Sequence, residues 1–216
     1  MVPTRLLIAD DHPLIRVGLR HLLEEQANWK VVAEAQDGRE AVTKTRETKP
    51  DIAILDVGMP ELNGFDAAGQ IASEVPGTKI LILSMHQTDA IFRKVLAAGV
   101  RGYVLKSDAP RDLVAAVQAI RGNKTFFTPQ VSRLIVDGFL SDRCTAAADD
   151  VVCITPRQRE VVQLIAEGKS NREIGITLNI TEKTAETHRA NVMRRLNLHS
   201  VSEIVRYAVR NDVIQA

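Results

Sequence analysis

Over the first ~120 residues, short apolar runs alternate with stretches whose apolar residues recur every three or four positions. The runs are Leu6-Leu7-Ile8-Ala9, Val31-Val32-Ala33-Glu34-Ala35, Ile52-Ala53-Ile54-Leu55, Ile80-Leu81-Ile82-Leu83 and Tyr103-Val104-Leu105. Most are unbroken rather than alternating, which suits strands buried on both faces, as in a parallel sheet. Between them the spacing predicts helices. Pro13 fits a first helical position, with Leu14, Val17, Leu19, Leu22 and Leu23 on one broad face. Asp37-Gly38 turns into a helix with Ala41, Val42 and Thr45, and Asn63-Gly64 starts a third that Pro76-Gly77 breaks. A fourth is predicted from Ala90-Ile91 to Ala98, stopped by Gly99, and a fifth from Pro110 to Ile120 with Leu113, Val114, Val117 and Ile120 inward. Strand and helix in strict alternation predict an α/β fold, a doubly wound parallel sheet of five strands.

The pattern changes after Gly122-Asn123-Lys124-Thr125. One more helix is predicted from Pro129 to Leu140, striped by Val131, Leu134, Ile135 and Phe139. Ser141 to Asp150 has small or polar side chains and little periodicity, the composition of a linker. Beyond it, helix start signals follow in close succession. Thr155, Pro156 and Gln158 form a capping box around a first-turn proline, and Gly168 ends that helix. Ser170 and Glu173 form a second box for a helix through Leu178; Thr181 caps a third helix to Leu196, and Ser200 a fourth to Val209. The second and third are separated by Asn179-Ile180, short enough for a helix-turn-helix. The division is therefore residues 1–124, a linker with a helix over 125–150, and an all-α four-helix domain over 151–216.

The chemistry lies at the carboxyl ends of the predicted strands, where open α/β sheets place their ligands. Asp10 and Asp11 end the first, Asp56 the third, Ser84 the fourth and Lys106 the fifth. Three carboxylates offer hard oxygen ligands of the kind Mg²⁺ takes. An acid pair, a lone Asp followed by x-x-Met59-Pro60, a hydroxyl and a lysine, in this order, resemble the receiver domain of bacterial response regulators, whose fold is flavodoxin-like. The resemblance implies that Asp56 accepts a phosphoryl group from a sensor histidine kinase. It implies that Asp11, Asp56 and the Gly58 backbone carbonyl hold Mg²⁺, with Asp10 helping through water, while Lys106 neutralises phosphoryl charge. It also implies a switch pair, Ser84 and Tyr103, and a position, His86, that tunes phosphoryl lifetime together with Gly58. Ser107 departs from the family, where proline often follows the lysine through a cis bond.

The C-terminal residues resemble the DNA-binding domain shared by LuxR, FixJ and NarL. The match is carried by Thr155-Pro156-Arg157-x-Arg159-Glu160-Val161, Gly168-Lys169-Ser170-Asn171-Arg172-Glu173-Ile174, and Thr184-x-x-Thr187-His188-Arg189-x-Asn191-Val192-Met193-Arg194-Arg195-Leu196. Helical spacing puts Ala185, Val192 and Leu196 on one side of the third helix and Lys183, Thr187, Ala190 and Arg194 on the other, with Glu186 at its edge. The resemblance implies that Glu186, Thr187 and Ala190 face bases, that Lys183, His188 and Arg194 meet phosphates, and that Thr184 lies within the same interface. Glu186 stands where the family often has lysine. A carboxylate there can accept from a cytosine amino group, or it can pair with Lys183 or Arg189 within the helix. The last helix, with Val201, Ile204, Val205, Ala208 and Val209, is where the family dimerises.

Charge adds little. The net charge is +1, and from Val151 on ten basic residues oppose seven acidic ones, a mild asymmetry rather than a polybasic patch. No run approaches a membrane span, and no secretory leader precedes the first strand, so a cytoplasmic protein is expected in which Cys144 and Cys153 are free thiols. Neither a dinucleotide nor a P-loop glycine motif is present. The implied protein is a two-component response regulator: Asp56 phosphorylation favours a homodimer that binds promoter DNA and engages the transcription machinery. It is not expected to be a turnover enzyme. An aspartyl-nucleophile phosphohydrolase fits less well, because no cap insertion or second catalytic carboxylate follows Asp11. A constitutive DNA-binding protein with a vestigial receiver fits poorly with a complete residue set.

Overall fold

The structure is a computed structural model that describes residues 2–85, 98–129, 131–133, 154–211 and 213–214. These residues fall into two compact units.

The first unit is the predicted α/β domain. Its elements are β1 (Thr4–Ala9), α1 (Pro13–Glu24), β2 (Trp29–Ala35), α2 (Gly38–Thr48), β3 (Ile52–Asp56), α3 (Gly64–Glu74), β4 (Lys79–Ser84), β5 (Gly102–Leu105), α4 (Ala109–Arg121) and β6 (Phe126–Phe127). The strands form one sheet in the order β2-β1-β3-β4-β5-β6, with every neighbouring pair parallel. The order steps out in both directions from β1 and β3, as a doubly wound fold requires. The apolar runs are buried as expected: Leu6 to Ile8, Ile52 to Leu55 and Leu81 to Leu83 have no exposed surface.

The sheet has a sixth strand beyond the five expected. Phe126 and Phe127 pair with Gly102 and Tyr103, so the sheet continues past residue 124. Two residues are too few to show a period, and nothing in their spacing marks them as a strand. In α1 the inward stripe is Ile15, Leu19 and Leu23, at strict four-residue spacing, with Leu22 beside it. Leu14 and Val17, expected on that face, are instead 87% and 63% exposed. The broad face of the sequence reading is two faces, and only one meets the sheet.

Local chemistry sets the helix ends. Asp37 accepts from Glu40 N–H at the start of α2, and Asn63 from Phe65 and Asp66 N–H at the start of α3. Gly99 ends the stretch predicted as the fourth helix in a left-handed turn at φ +64°. The rest of that stretch, including His86, lies outside the described residues, as do the linker and both cysteines. Of the helix predicted over Pro129–Leu140, residues 129 and 131–133 are described and helical.

The second unit contains α5 (Pro156–Ala166), α6 (Asn171–Leu178), α7 (Glu182–Arg195) and α8 (Val201–Arg210). Every predicted cap is present. Thr155 with Gln158 and Ser170 with Glu173 form reciprocal capping boxes, and Thr181 and Ser200 accept from Thr184 and Glu203 N–H. Arg157 pairs with the buried Glu160 at 2.9 Å and donates to the Leu178 carbonyl at 2.8 Å, tying α5 to the end of α6. Asn179 takes a left-handed conformation to turn the chain into α7. At Gly175 a Cβ would lie 2.9 Å from the Ile180 carbonyl oxygen, so only glycine lets α6 approach that turn. The core joins Val161, Val162, Leu164, Ile165, Ile174 and Ala185 with residues of α8. The structure also divides the α8 stripe: Ile204 and Ala208 are buried, whereas Val201 and Val209 are exposed.

Candidate functional site

The first site is built by strand register. Ala9 pairs with Leu55 and Asp56 pairs with Leu83, so Asp10, Asp56 and Leu83 lie level across three strands. Ser84 pairs with Leu105, which puts Ser84 one step further out and Lys106, the residue after Leu105, two steps out. Lys106 N–H donates to the Ser84 carbonyl and Val57 N–H to the Leu83 carbonyl, pinning both loop starts to β4. The loop after β3 is held closely. Gly64 N–H donates to the Val57 carbonyl, and a Cβ at Gly64 would fall 2.1 Å from the Asp56 carbonyl oxygen. The start of α3 therefore packs against the backbone of Asp56 itself, and a glycine is needed there.

The sequence-predicted residues converge. The Lys106 ammonium bridges two carboxylates, 2.7 Å from Asp10 Oδ2 and 2.9 Å from Asp56 Oδ2. All three side chains are buried: Lys106 is 6% exposed and Asp56 2%. Two carboxylates share one ammonium in a dry setting, and the charges do not cancel. Burial pushes the Asp56 carboxyl above the usual aspartate range, and the neighbouring Asp10 adds to the rise; Lys106 and the Gly58 N–H pull the other way without cancelling it. For Lys106, burial pulls downward, but hydrogen bonds and attraction from Asp10 and Asp56 outweigh it and hold the ammonium above the ordinary lysine range. Ser84 ends β4 and Tyr103 pairs with Ile82 two positions earlier; both are buried, Tyr103 completely.

The site also has unused acceptor capacity. Asp56 Oδ1 is buried without a hydrogen-bond partner, an expensive condition for a carboxylate oxygen. Asp11 Oδ1 is also without one, although the His12 imidazole Nδ1 lies 2.7 Å away. Oxygen donors with open lone pairs beside a single ammonium fit a hard divalent cation. Such a set, with a lysine at hand, can hold an anionic group against Asp56 and offset its charge. The Lys106–Ser107 bond is trans, since no cis peptide occurs among the described residues.

Sequence reasoning gave His12 no role. Its backbone N–H donates to Asp10 Oδ1 at 2.9 Å, and its ring reaches both acids of the pair. The available signal was an imidazole directly after two aspartates. Arg16, also passed over, donates to the Asp10 carbonyl at 2.6 Å and steadies the same turn.

The second site is one face of α7. Ala185 and Val192 are fully buried, while Lys183, Thr184, Glu186, Thr187, Ala190 and Arg194 are exposed and His188 is half-buried. Among the exposed residues, Lys183 Nζ lies 2.9 Å from Glu186 Oε2. A hydrogen bond between them holds Lys183 above and Glu186 below its ordinary range. Of the two partners within the helix that the sequence offered Glu186, Lys183 is the one it meets; Arg189 instead reaches Asn171 Oδ1 at 3.5 Å, within the second unit. Thr187 Oγ donates to the Lys183 carbonyl, and Arg194 donates to Asn191. The exposed face thus carries hydrogen-bonding side chains on a rigid, capped helix that follows a tight turn, the geometry of a helix presented to a groove.

Comparison with known proteins matches residues 6–118 to the response regulator receiver domain and residues 152–208 to the luxR family of bacterial regulatory proteins. The oxygen regulatory protein NreC of Staphylococcus epidermidis is 34% identical over 216 residues, covering 98% of this chain and 99% of the relative. The uncharacterized transcriptional regulatory protein YxjL of Bacillus subtilis is 34% identical over 212 residues, covering 98% and 97%. Among solved structures, the RcsB response regulator of Salmonella typhimurium is similar over 98% of this chain and 99% of its own, with TM-score 0.65 and 28% identity. A two-component response regulator of the LuxR family from Aurantimonas covers 64% of this chain and 99% of its own, with TM-score 0.60 and 38% identity.

Proposed function

The chain belongs to the bacterial response regulators that join a receiver to a LuxR-type DNA-binding domain, and from that premise we propose that Asp56 is the phosphoacceptor through which a sensor histidine kinase controls dimerisation and binding to promoter DNA. The protein is a two-component regulator of transcription. The observation that carries the assignment of Asp56 is the Lys106 ammonium bridging Asp10 and Asp56, beside an Asp56 oxygen with no hydrogen-bond partner.

The chemistry is a transfer between two side chains. An oxygen of Asp56 forms a bond to phosphorus as the bond from phosphorus to the kinase imidazole nitrogen breaks, and the nitrogen keeps that electron pair. Asp56 must be ionised to attack, and Lys106 favours that form. Lys106 is also placed to meet a phosphoryl oxygen, and a fixed ammonium in a dry pocket is worth far more than one in water. Mg²⁺ would be held by Asp11, Asp56 and the Gly58 carbonyl, with Asp10 through water; when bound it supplies further charge neutralisation. Asp10 Oδ1 takes the His12 backbone N–H and Oδ2 the Lys106 ammonium, which suits a supporting role. The acyl phosphate is later lost to water, a single discharge rather than substrate turnover, with position 86 tuning its lifetime.

Adding about −1.5 to −2 of charge gives Ser84 and Lys106 a new partner. Ser84 would close on the phosphate and Tyr103 would repack behind it, changing the domain surface that favours the dimer. The α7 face would enter the major groove, with Glu186, Thr187 and Ala190 toward bases and Lys183, Thr184, His188 and Arg194 toward the backbone. The exposed Val201 and Val209 of α8 are suited to a second copy of the chain. The receiver is assigned to residues 1–124 with β6 as an extension, the linker to 125–150 and the DNA-binding domain to 151–216. No described helix is long and apolar enough to cross a membrane, and action in the cytoplasm on transcription machinery follows from the assigned role.

The test is labelling. With Mg²⁺ and acetyl phosphate, intact mass should rise by one phosphoryl group in the wild type and not in Asp56→Asn. Equal labelling of the Asn variant overturns the assignment.

A further inference from the structure

The cation site has a donor of a different kind at its rim. One ligand atom from each of Asp10, Asp11 and His12 lies within 4.8 Å of the other two. The imidazole Nδ1 is 2.7 Å from Asp11 Oδ1 and 3.4 Å from Asp10 Oδ1, so a cation held by Asp11 is within reach of that nitrogen after a small shift. His12 stands at the entry to α1, where its side chain is 64% exposed and makes no capping hydrogen bond to the helix. A second observation points to a ligand here independently of the cluster: the buried Asp56 has an oxygen, Oδ1, with no hydrogen-bond partner, at the same sheet edge.

Resting on the divalent-cation reading above, we infer that His12 is an additional, nitrogen ligand of this site, so that the receiver prefers nitrogen-accepting divalent metals such as Co²⁺ over Mg²⁺. Mg²⁺ binds through oxygen, keeps much of its water and gains little from an imidazole. Later first-row divalent ions gain from one, and affinity rises along the series for any mixed nitrogen and oxygen site. An all-carboxylate site lacks that added contribution. Co²⁺ and Mg²⁺ are both readily six-coordinate, so comparing them isolates the choice of donor atom.

The experiment measures Co²⁺ and Mg²⁺ affinity of the full chain by calorimetry at one fixed pH, for wild type, His12→Ala and His12→Gln, with circular dichroism to verify folding. Proton spectra of the Co²⁺ forms are recorded for strongly shifted imidazole resonances. For both variants, Co²⁺ binding should weaken by about tenfold or more, Mg²⁺ binding should stay within about twofold, and a shifted imidazole signal should be lost. His12→Gln keeps a side chain that can hydrogen-bond Asp11, so recovery of Co²⁺ binding in that variant would show His12 only positions Asp11 and overturn the ligand role. Equal loss of both metals, or loss of neither, also overturns it while leaving the cation site intact. Failure of the wild type to bind either metal would overturn the cation reading itself.

Discussion

Two lysines in this protein sit at the same distance from a carboxylate, and they do opposite work. Lys106 and Asp56 are 2.9 Å apart with side chains 6% and 2% exposed; Lys183 and Glu186 are also 2.9 Å apart, with side chains 84% and 55% exposed. In the dry strand-end site the separation matters greatly, because the charges have little water to fall back on. On the surface of α7, water and salt stand ready to replace either partner. The buried pair must keep its geometry and can only respond to a new charge. The exposed pair can exchange partners whenever a stronger one arrives. The first kind of pair suits the phosphorylation switch proposed for Asp56, and the second suits the DNA-facing surface proposed for α7.

Breaking the buried pair should give the largest effect. Lys106→Ala leaves two buried carboxylates facing each other and should destabilise the first unit by about 3 kcal/mol. Trp29 is the protein's one tryptophan and is buried in β2, so its fluorescence during urea unfolding of the full chain reports on that unit. A change in urea midpoint too small to measure would show that the Lys106 bridge between Asp10 and Asp56 does not hold the two carboxylates in place.

A smaller effect of opposite sign is expected for Asp56→Asn. Burial raises the Asp56 carboxyl in the folded chain, so folding favours its protonated form. Its contribution to stability is present below the unfolded value and lost as pH rises through the folded value. The neutral amide has no such loss. The variant should therefore match the wild type in acid and exceed it progressively toward neutral pH, read again by Trp29 fluorescence. A variant gap that shrinks as pH rises would contradict the sign.

The exposed pair should show almost no stability effect and a clear effect on recognition. Glu186→Lys should leave the unfolding midpoint of the second unit unchanged, because both partners are solvated. In a selection of sites from random DNA it should bind more tightly and change preference at one position per half-site, as expected if docking releases Glu186 from Lys183 to accept from a cytosine amino group. Two identical site motifs differing only in affinity would assign Glu186 to pairing alone.

Much of this was legible in the sequence, for reasons that differ by element. The strands of the first unit announced themselves because burial on both faces leaves no room for polar residues, as in Ile52 to Leu55. The helix starts of the second unit were legible because capping is local: Thr155, Ser170, Thr181 and Ser200 each satisfy N–H groups within three residues. The convergence of Asp10, Asp56 and Lys106 was readable because each ends an apolar run and parallel strands align their ends. What was not legible depended on tertiary choice. Leu14 and Ile15 are equally apolar, and only the position of the sheet decides which faces inward. Phe126-Phe127 becomes a strand because β5 offers an open edge. His12 was missed because its part depends on the distance from its ring to two neighbouring carboxylates, which adjacency in sequence does not give.

Under the proposed function, charge placed on Asp56 in one unit controls what the other does to DNA. The most direct measurement is the affinity of the full chain for its selected DNA site, with and without acetyl phosphate and Mg²⁺, for wild type and Asp56→Asn. Coupling of the usual size predicts a gain of about 5- to 150-fold for the phosphorylated wild type and none for the variant. An equal gain in the variant, or no gain in wild-type protein shown by mass to be phosphorylated, would contradict control of DNA binding through Asp56.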